Sequence, residues 1–325
     1  MFSRTCRCLL LGAVLLQKVC AGGEVPPSQI PGMISALMPK VTLVGAGSAV
    51  FARQVMTDIL AVDGLDRGVF ALVDIDPDRL DLARRIAERL VELSGKAWTV
   101  EASTDRLDVL KGTDYVVNSI EVAGLRNVRH DYDIPMKYGI DQCIGDTIGP
   151  GGIFKALRTG PAWLDIVADV KRLAPRAVIL NYTNPMSILT LAACRATGLE
   201  VVGLCHSVQG TSRLLAEFLD VPYEELTWRC AGINHNAWFT NLERHGKDLY
   251  PLLRERAAQP EYYERAPVRL ELMLHSGAFG NESVGHFSEY GHYLRKRPGP
   301  LNRTAAPRHL GRSVRSATTS PSTRQ

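Results

Sequence analysis

Between Met38 and about Gly203 the chain alternates short apolar runs with longer stretches of helical periodicity. Residues 40–45 (KVTLVG) form an apolar run closed by glycine, the pattern of a buried strand. Residues 48–60 follow with apolar positions at helical spacing: Val50, Val55, Ile59 and Leu60. A second buried strand is predicted at 69–75 (VFALVDI). A helix should then run from Pro77 to about Ser94, with Leu80, Leu82, Ile86, Leu90 and Leu93 on one side. Asp76 is its expected N-cap and Pro77 sits in its first turn. Strands near 98–102 and at 114–119 (DYVVNS), a helix at about 152–173, a strand at 177–181, a helix at 186–197 and a strand at 200–204 complete the series. This alternation predicts the α/β class, a parallel sheet covered on both faces. No internal repeat is visible.

The two ends break the pattern. Met1 to Ala21 has Arg4 and Arg7, an apolar run from Leu9 to Leu16 and small residues near Cys20, which resembles a signal peptide interrupted by Gln17 and Lys18. Residues 22–37 read as a linker. A strand opens two residues after Met38, so residues 1–37 are either an export signal with its linker or an upstream extension of a chain that natively starts at Met38. From Arg297 to Gln325 there are six Arg, no Asp or Glu, and no apolar periodicity. A disordered basic tail is expected over 297–325. It is either natural or the product of a coding frame lost near Arg297.

Composition narrows the class. The 325 residues are 46% hydrophobic and 22% charged, an ordinary globular balance that excludes a mainly disordered, collagen-like or disulfide-dense chain. The net charge of +4 is too small to argue for nucleic acid or a membrane surface, and much of it lies in the tail. Seven scattered Cys, an odd number without a CxxC pair, suggest a reduced compartment. No run of 18 apolar residues is present, so no transmembrane helix is expected.

The first strand–turn–helix carries GAGSAV. Gly45 permits the tight turn, Gly47 lets a pyrophosphate approach the backbone, and Ser48 opens the helix whose N–H groups would face the phosphate. The third glycine of the usual motif is replaced by Val50. Asp74 ends the second strand, where an acid accepts hydrogen bonds from a ribose and favours NAD over a 2′-phosphorylated dinucleotide. Asn118, closing the strand at 114–119, joins the predicted cofactor-binding set. The expectation is a Rossmann-like, doubly wound domain of the lactate/malate dehydrogenase type over 38–204, followed by a second domain over 205–296. Four polar segments follow strand-like runs: 145–161, 181–187, 205–210 and 232–238. In open α/β sheets such positions hold ligands. Cys205 and His235 are candidate ligands of one divalent metal, with positions left open for substrate oxygens. For either residue by itself, a buried core role is the alternative. His206 is a candidate general acid or a solvent-facing loop histidine.

The segments VTLVGAGS (41–48), VDID (73–76), GDTIGPGGIFKALRTGP (145–161), NYTNPMSILT (181–190), CHSV (205–208) and GINHNAWF (232–239) resemble the NAD-dependent family-4 glycosidases in order and spacing. Cys-His-Ser is similar to their α-galactosidase branch, with α-glucosidases and α-glucuronidases as close relatives. The resemblance implies hydrolysis of an α-glycoside, a small-molecule substrate, through oxidation at C3, deprotonation at C2 and elimination. It implies NAD and Mn²⁺ as cofactors, a homo-oligomer where the C-terminus is complete, and a cytoplasmic site, which favours Met38 as the start. It implies metal ligation by Cys205 and His235, substrate binding by Asn184 and Asp146, and proton donation by His206. Tyr290, with Tyr293 behind it, would be the base, its hydroxyl depressed from about 10 by the metal. Family members are longer, so the resemblance implies truncation at the C-terminus and a partial α+β metal and substrate domain over 205–296. Two other readings remain: an NAD-dependent 2-hydroxy acid dehydrogenase of the lactate/malate type, and a truncated fragment that only binds NAD.

Overall fold

The computed structural model describes residues 38–290. The predicted N-terminal extension, the basic tail and Tyr293 lie outside the described residues. In chain order the elements are β1 (Lys40–Val44), α1 (Ala49–Leu60), β2 (Arg67–Val73), α2 (Pro77–Ser94), β3 (Ala97–Ser103), α3 (Arg106–Leu110), β4 (Tyr115–Asn118), α4 (Gly124–Lys137), α5 (Gly149–Leu173), β5 (Val178–Asn181), α6 (Met186–Thr197), β6 (Val201–Gly203) and α7 (Ser207–Leu219). They continue with β7 (Leu226–Ile233), β8 (Asn236–Arg244), β9 (Lys247–Asp248), α8 (Tyr250–Ala257), α9 (Pro260–Tyr263), α10 (Pro267–Ser276), β10 (Phe279–Gly280) and α11 (Val284–Tyr290).

The chain divides into two compact units. The first holds the residues through Val122 with Gly160–Thr183 and Leu189–Leu204, and the second holds Ala123–Thr159, Asn184–Ile188 and the residues from Cys205. The contiguous blocks expected at 38–204 and 205–296 therefore give way to an interleaved partition. Helix α4, which the sequence reading did not anticipate, and the first part of α5 leave the sheet unit and join the later chain.

In the first unit, six parallel strands are ordered β3-β2-β1-β4-β5-β6. The inner strands β1, β2, β4 and β5 are largely apolar and buried on both faces because both are covered, whereas the edge strand β3 (AWTVEAS) is exposed at most of its positions. Leu43, Phe70, Leu72, Tyr115, Val117 and Leu180 pack with Met56 and Ile59 of α1 and with Leu80 of α2. The alternate residues Val44, Val116 and Ile179 pack with Trp163, Val167 and Val170 of α5 and Leu189 of α6. The strand order reverses beside β1, where the GAG turn leaves the sheet, so the predicted dinucleotide loop lies at the topological switch point.

Helix α2 is capped as expected: the Asp76 carboxylate accepts from the N–H groups of Asp78 and Arg79 at 3.1 Å each. Its buried face differs from the predicted one. Leu80, Ala83 and Ala87 are buried, whereas Leu82 and Leu93 are 42% and 66% exposed. Positions 80, 83 and 87 share one helical stripe, and position 82 lies about two residues round from it. Val50 is likewise 75% exposed on α1.

The second unit contains the antiparallel β7–β8 hairpin, with β10 and β9 also pairing to β8. Phe218 and Leu219 of α7, Phe239 and Leu242 of β8, Leu253 of α8, Leu270 and Met273 of α10, and Phe279 of β10 form its core. This sheet with its helices has the predicted α+β character. No helix among the described residues is long and apolar enough to cross a membrane.

Candidate active site

In the first unit, the backbone of the GAGSAV turn is shaped for close approach. Gly45 has φ +85°, and a Cβ there would meet the Ser119 carbonyl oxygen at 2.7 Å. A Cβ on Gly47 would meet the Asp74 carboxylate at 2.6 Å. The Gly47 N–H donates to Asp74 Oδ2 at 2.7 Å, and the Asp76 N–H donates to Oδ1 at 3.0 Å. The acid thus braces the turn from the end of β2. Ser48 is exposed and its side chain does not cap α1, leaving the first-turn N–H groups for an anion. Asn118 is fully buried, and its amide donates to Asn181 Oδ1 at 2.9 Å, tying β4 to β5 beneath this loop.

The second unit assembles a buried polar cluster from four separate segments. Cys205 lies immediately before α7. His235 occupies the two-residue turn between β7 and β8 with φ +61°, a left-handed conformation that turns the imidazole out of the hairpin. Asp146 and Thr147 lie in the loop before α5. Glu282 and His286 flank the start of α11. Two of the glycines after this loop are required by packing, since a Cβ on Gly151 or Gly152 would collide with the backbone of Gly145 or Thr147.

His235 Nε2 is 3.4 Å from Cys205 Sγ and 3.5 Å from Glu282 Oε2. On the other side of the ring, His235 Nδ1 is 2.6 Å from the Thr147 hydroxyl, which donates to Asp146 Oδ1 at 2.7 Å. With its own hydrogen given to Asp146, Thr147 accepts from Nδ1–H. That tautomer presents the Nε2 lone pair toward Cys205 and Glu282. Asp146 Oδ2 also accepts from Asn184 Nδ2 at 2.8 Å. His286 stacks against His235 with ring centroids 4.0 Å apart, its Nε2 3.5 Å from Asp146 and its Nδ1 3.5 Å from Glu282.

The electrostatics follow from this packing. Burial and the neighbouring His286 charge lower His235 below its ordinary value, keeping it a neutral imidazole. Burial would also lower His286, but Asp146 and Glu282 outweigh it and raise the group to about 9. Burial works against the Asp146 and Glu282 carboxylates, yet their interactions with His286 and its neighbours hold both below the usual range. Burial pushes the Cys205 thiol up, opposed by hydrogen bonds from Ser207.

The donor set fits a divalent cation. Cys205, His235 and Glu282 offer a sulfur, a nitrogen and a carboxylate oxygen that all lie within 4.8 Å of one another. Glu282 Oε2 is buried and accepts no hydrogen bond among the described residues. A mixed thiolate, imidazole and carboxylate set suits a first-row divalent ion. The predicted residues Cys205, His235, Asp146 and Asn184 are therefore brought together. Glu282 and His286 were not singled out from sequence, and the available signal was two polar residues four apart after a short apolar strand. His206 is exposed at the start of α7, next to the cluster's Cys205 in sequence. Tyr290 stacks on His286 at 5.8 Å, with its hydroxyl buried. Burial and the Glu289 charge push that hydroxyl far above 10, the reverse of the shift expected for a base.

Two family patterns match the sequence: family 4 glycosyl hydrolase over residues 40–221, and the C-terminal domain of family 4 glycosyl hydrolases over residues 230–320. The chain belongs to glycosyl hydrolase family 4. The C-terminal match continues past Arg297 to residue 320, so it gives no support to a lost coding frame at that point. An α-galactosidase of Bacillus subtilis is 40% identical over 265 residues, covering 81% of this chain and 61% of the relative. The chain thus spans about three-fifths of that relative's length. A solved structure of a candidate glucosidase, lplD, from Bacillus subtilis superposes with a TM-score of 0.71 at 28% identity, over 86% of this chain and 69% of that one. A 6-phospho-α-glucosidase from gut microorganisms, in complex with NAD and Mn²⁺, shares the fold with a TM-score of 0.70 at 20% identity, over 86% of this chain and 67% of that one.

Proposed function

We propose that this family 4 chain carries the site of an NAD- and Mn²⁺-dependent α-glycosidase whose preferred substrate is an α-galactoside. The observation that carries the reading is the Cys205–His235–Glu282 donor set, with His235 and Glu282 buried and Cys205 partly so, in a chain that also holds the braced GAG turn. The α-galactosidase of Bacillus subtilis and the Cys-His-Ser sequence at 205–207 support the galactoside. The NAD and Mn²⁺ of the gut 6-phospho-α-glucosidase support the cofactors. A 2-hydroxy acid dehydrogenase would not need a thiolate–imidazole–carboxylate cluster, and family membership counts against that reading.

When bound, NAD would supply reversible hydride acceptance at the sugar's C3, and the divalent ion would polarise the oxygens on C2 and C3. The chain's own residues have separable tasks. The side-chain-free turn at Gly45 and Gly47, with Ser48 leaving α1 uncapped, would let the pyrophosphate approach the first-turn N–H groups of α1, and Asp74 would receive the ribose hydroxyls. Asn118 supports that floor from below. Cys205, His235 and Glu282 would hold the cation, with Thr147 fixing the His235 tautomer. Asn184 and Asp146, already bonded to each other, present an amide and a carboxylate to sugar hydroxyls. Tyr290, whose buried hydroxyl is raised in the metal-free protein, would be the acceptor for the C2 proton, with a nearby cation's charge favouring its ionised form. His206, exposed beside Cys205, donates the proton to the departing glycosidic oxygen. The cytoplasm is the fitting compartment, because it offers NAD and keeps Cys205 reduced.

The test is release of p-nitrophenol from p-nitrophenyl α-galactoside by the purified chain, with NAD⁺, Mn²⁺ and a reductant each omitted in turn. The reading requires loss of cleavage on every omission. Cleavage that persists without NAD⁺ overturns it, and so does accumulation of NADH in step with turnover.

A further inference from the structure

We infer that Glu289, which is itself neither a metal donor nor a residue given to the sugar, is the positioning residue that sets the Asp146–Thr147 loop. Its carboxylate, in the last turn of α11, receives three successive backbone N–H groups. Oε2 accepts from Cys143 at 2.5 Å, Ile144 at 2.7 Å and Gly145 at 3.1 Å, and Oε1 accepts from Gly145 at 3.0 Å. Three consecutive N–H groups converging on one anion form a nest, and the left-handed Gly145 at φ +62° lets the chain curl that tightly. The loop is tied nearby as well: the Tyr132 hydroxyl donates to the Ile144 carbonyl, and Gln142 bridges the Asp131 carbonyl and the Gly151 N–H.

The two residues after the nest are the ones that act. Asp146 receives Asn184, and Thr147 receives His235 Nδ1. One helix, α11, thus carries His286 toward the cluster and, three residues on, grips the backbone that orients His235 from its far side. Glu289 therefore acts on the metal donors at second hand, through the loop and Thr147. An amide at 289 keeps the size but sets an NH₂ group against N–H donors, so the nest cannot close in the same way.

The inference rests on the metal reading above, and the experiment separates the two. In Glu289→Gln, hydrogen exchange of the metal-free protein should quicken at the amides of 143–147 and stay unchanged in β1, β2, β4 and β5. Mn²⁺ alone, titrated by calorimetry, should bind roughly 10- to 100-fold more weakly, the range for losing a second layer of metal-site support. NAD⁺ affinity should stay the same, which shows that the variant is folded. Combined with Thr147→Val, the Gln variant should cost little further Mn²⁺ affinity, because both act through one hydrogen bond to His235. Unchanged exchange at 143–147, unchanged Mn²⁺ affinity, or full additivity in the double variant each overturns the role of Glu289. A wild-type chain that binds no Mn²⁺ overturns the metal reading instead, and exchange at 143–147 still decides whether the clamp exists.

Discussion

Replacing Thr147 with Val isolates what orients His235, a candidate metal donor. Val has nearly the shape of Thr, and residue 147 is 1% exposed, so the change opens no cavity and removes only a hydroxyl. That hydroxyl makes two short contacts, 2.6 Å to His235 Nδ1 and 2.7 Å to Asp146 Oδ1. Its loss leaves a buried Nδ1–H without an acceptor, since His235 is itself only 6% exposed, at a cost of about 1–3 kcal/mol. The ring can escape by moving its proton to Nε2, but that places N–H where Cys205 and Glu282 need a lone pair. Either way metal binding pays the difference, expected at roughly 10- to 100-fold in Kd, or about 1.4–2.8 kcal/mol. The assay is calorimetric titration of Mn²⁺ at one pH, with NAD⁺ titrated in parallel as a control for folding. Thr147→Ser keeps the hydroxyl and should bind Mn²⁺ much like the wild type. Equal affinity in the Val variant and the wild type, or a Ser variant as weak as Val, refutes the tautomer argument.

Gly47→Ala drives a Cβ to within 2.6 Å of the Asp74 carboxylate, and NAD⁺ affinity measured by fluorescence titration should fall about tenfold or more while Mn²⁺ affinity holds. Arg158→Met strips the buried Asp131 carboxylate of a two-pronged partner at 2.6 and 3.1 Å, and denaturant unfolding should show a loss of about 3–5 kcal/mol, much of it recovered when Asp131→Leu is added. Tyr115 is raised to about 12 by burial and by the charges of Asp114 and Glu200. Its unfolded form ionises near 10, so stability is intact below pH 10 and falls by about 2–3 kcal/mol as pH rises toward 12. Urea midpoints compared at pH 9 and pH 11 should decline less in Tyr115→Phe than in the wild type.

The sheet was legible because its inner strands are short, apolar on both faces and separated by helices of ordinary period, so each announces itself locally. The GAG turn and Asp74 were legible for the same reason: strand, turn and acid follow one another closely along the chain, from Lys40 to Asp74. Helix α4 was not, because its sequence RNVRHDYDIPMK is polar and carries Pro135 near its end. The buried stripe of α2 was misjudged because alanines at 83 and 87 pack against the sheet where leucines were expected. Cys205, His235, Asp146 and Asn184 were found through motifs, but Glu282 and His286 were missed. Their closeness to Cys205, some 80 residues earlier, arises from β10 pairing with β8, which no local pattern encodes. Tyr290 was placed beside the cluster, yet no reading of the sequence could show that its hydroxyl would be shut away from solvent.

The central claim, that hydrolysis here passes through oxidation and elimination, is tested most directly by running cleavage of p-nitrophenyl α-galactoside in D₂O and locating deuterium in the released sugar by NMR. Removal of the C2 proton and its later return from solvent predict one deuterium at C2 of the product, appearing only when NAD⁺ is present. Product formed with hydrogen retained at C2 contradicts the account, because direct displacement at C1 leaves that position untouched.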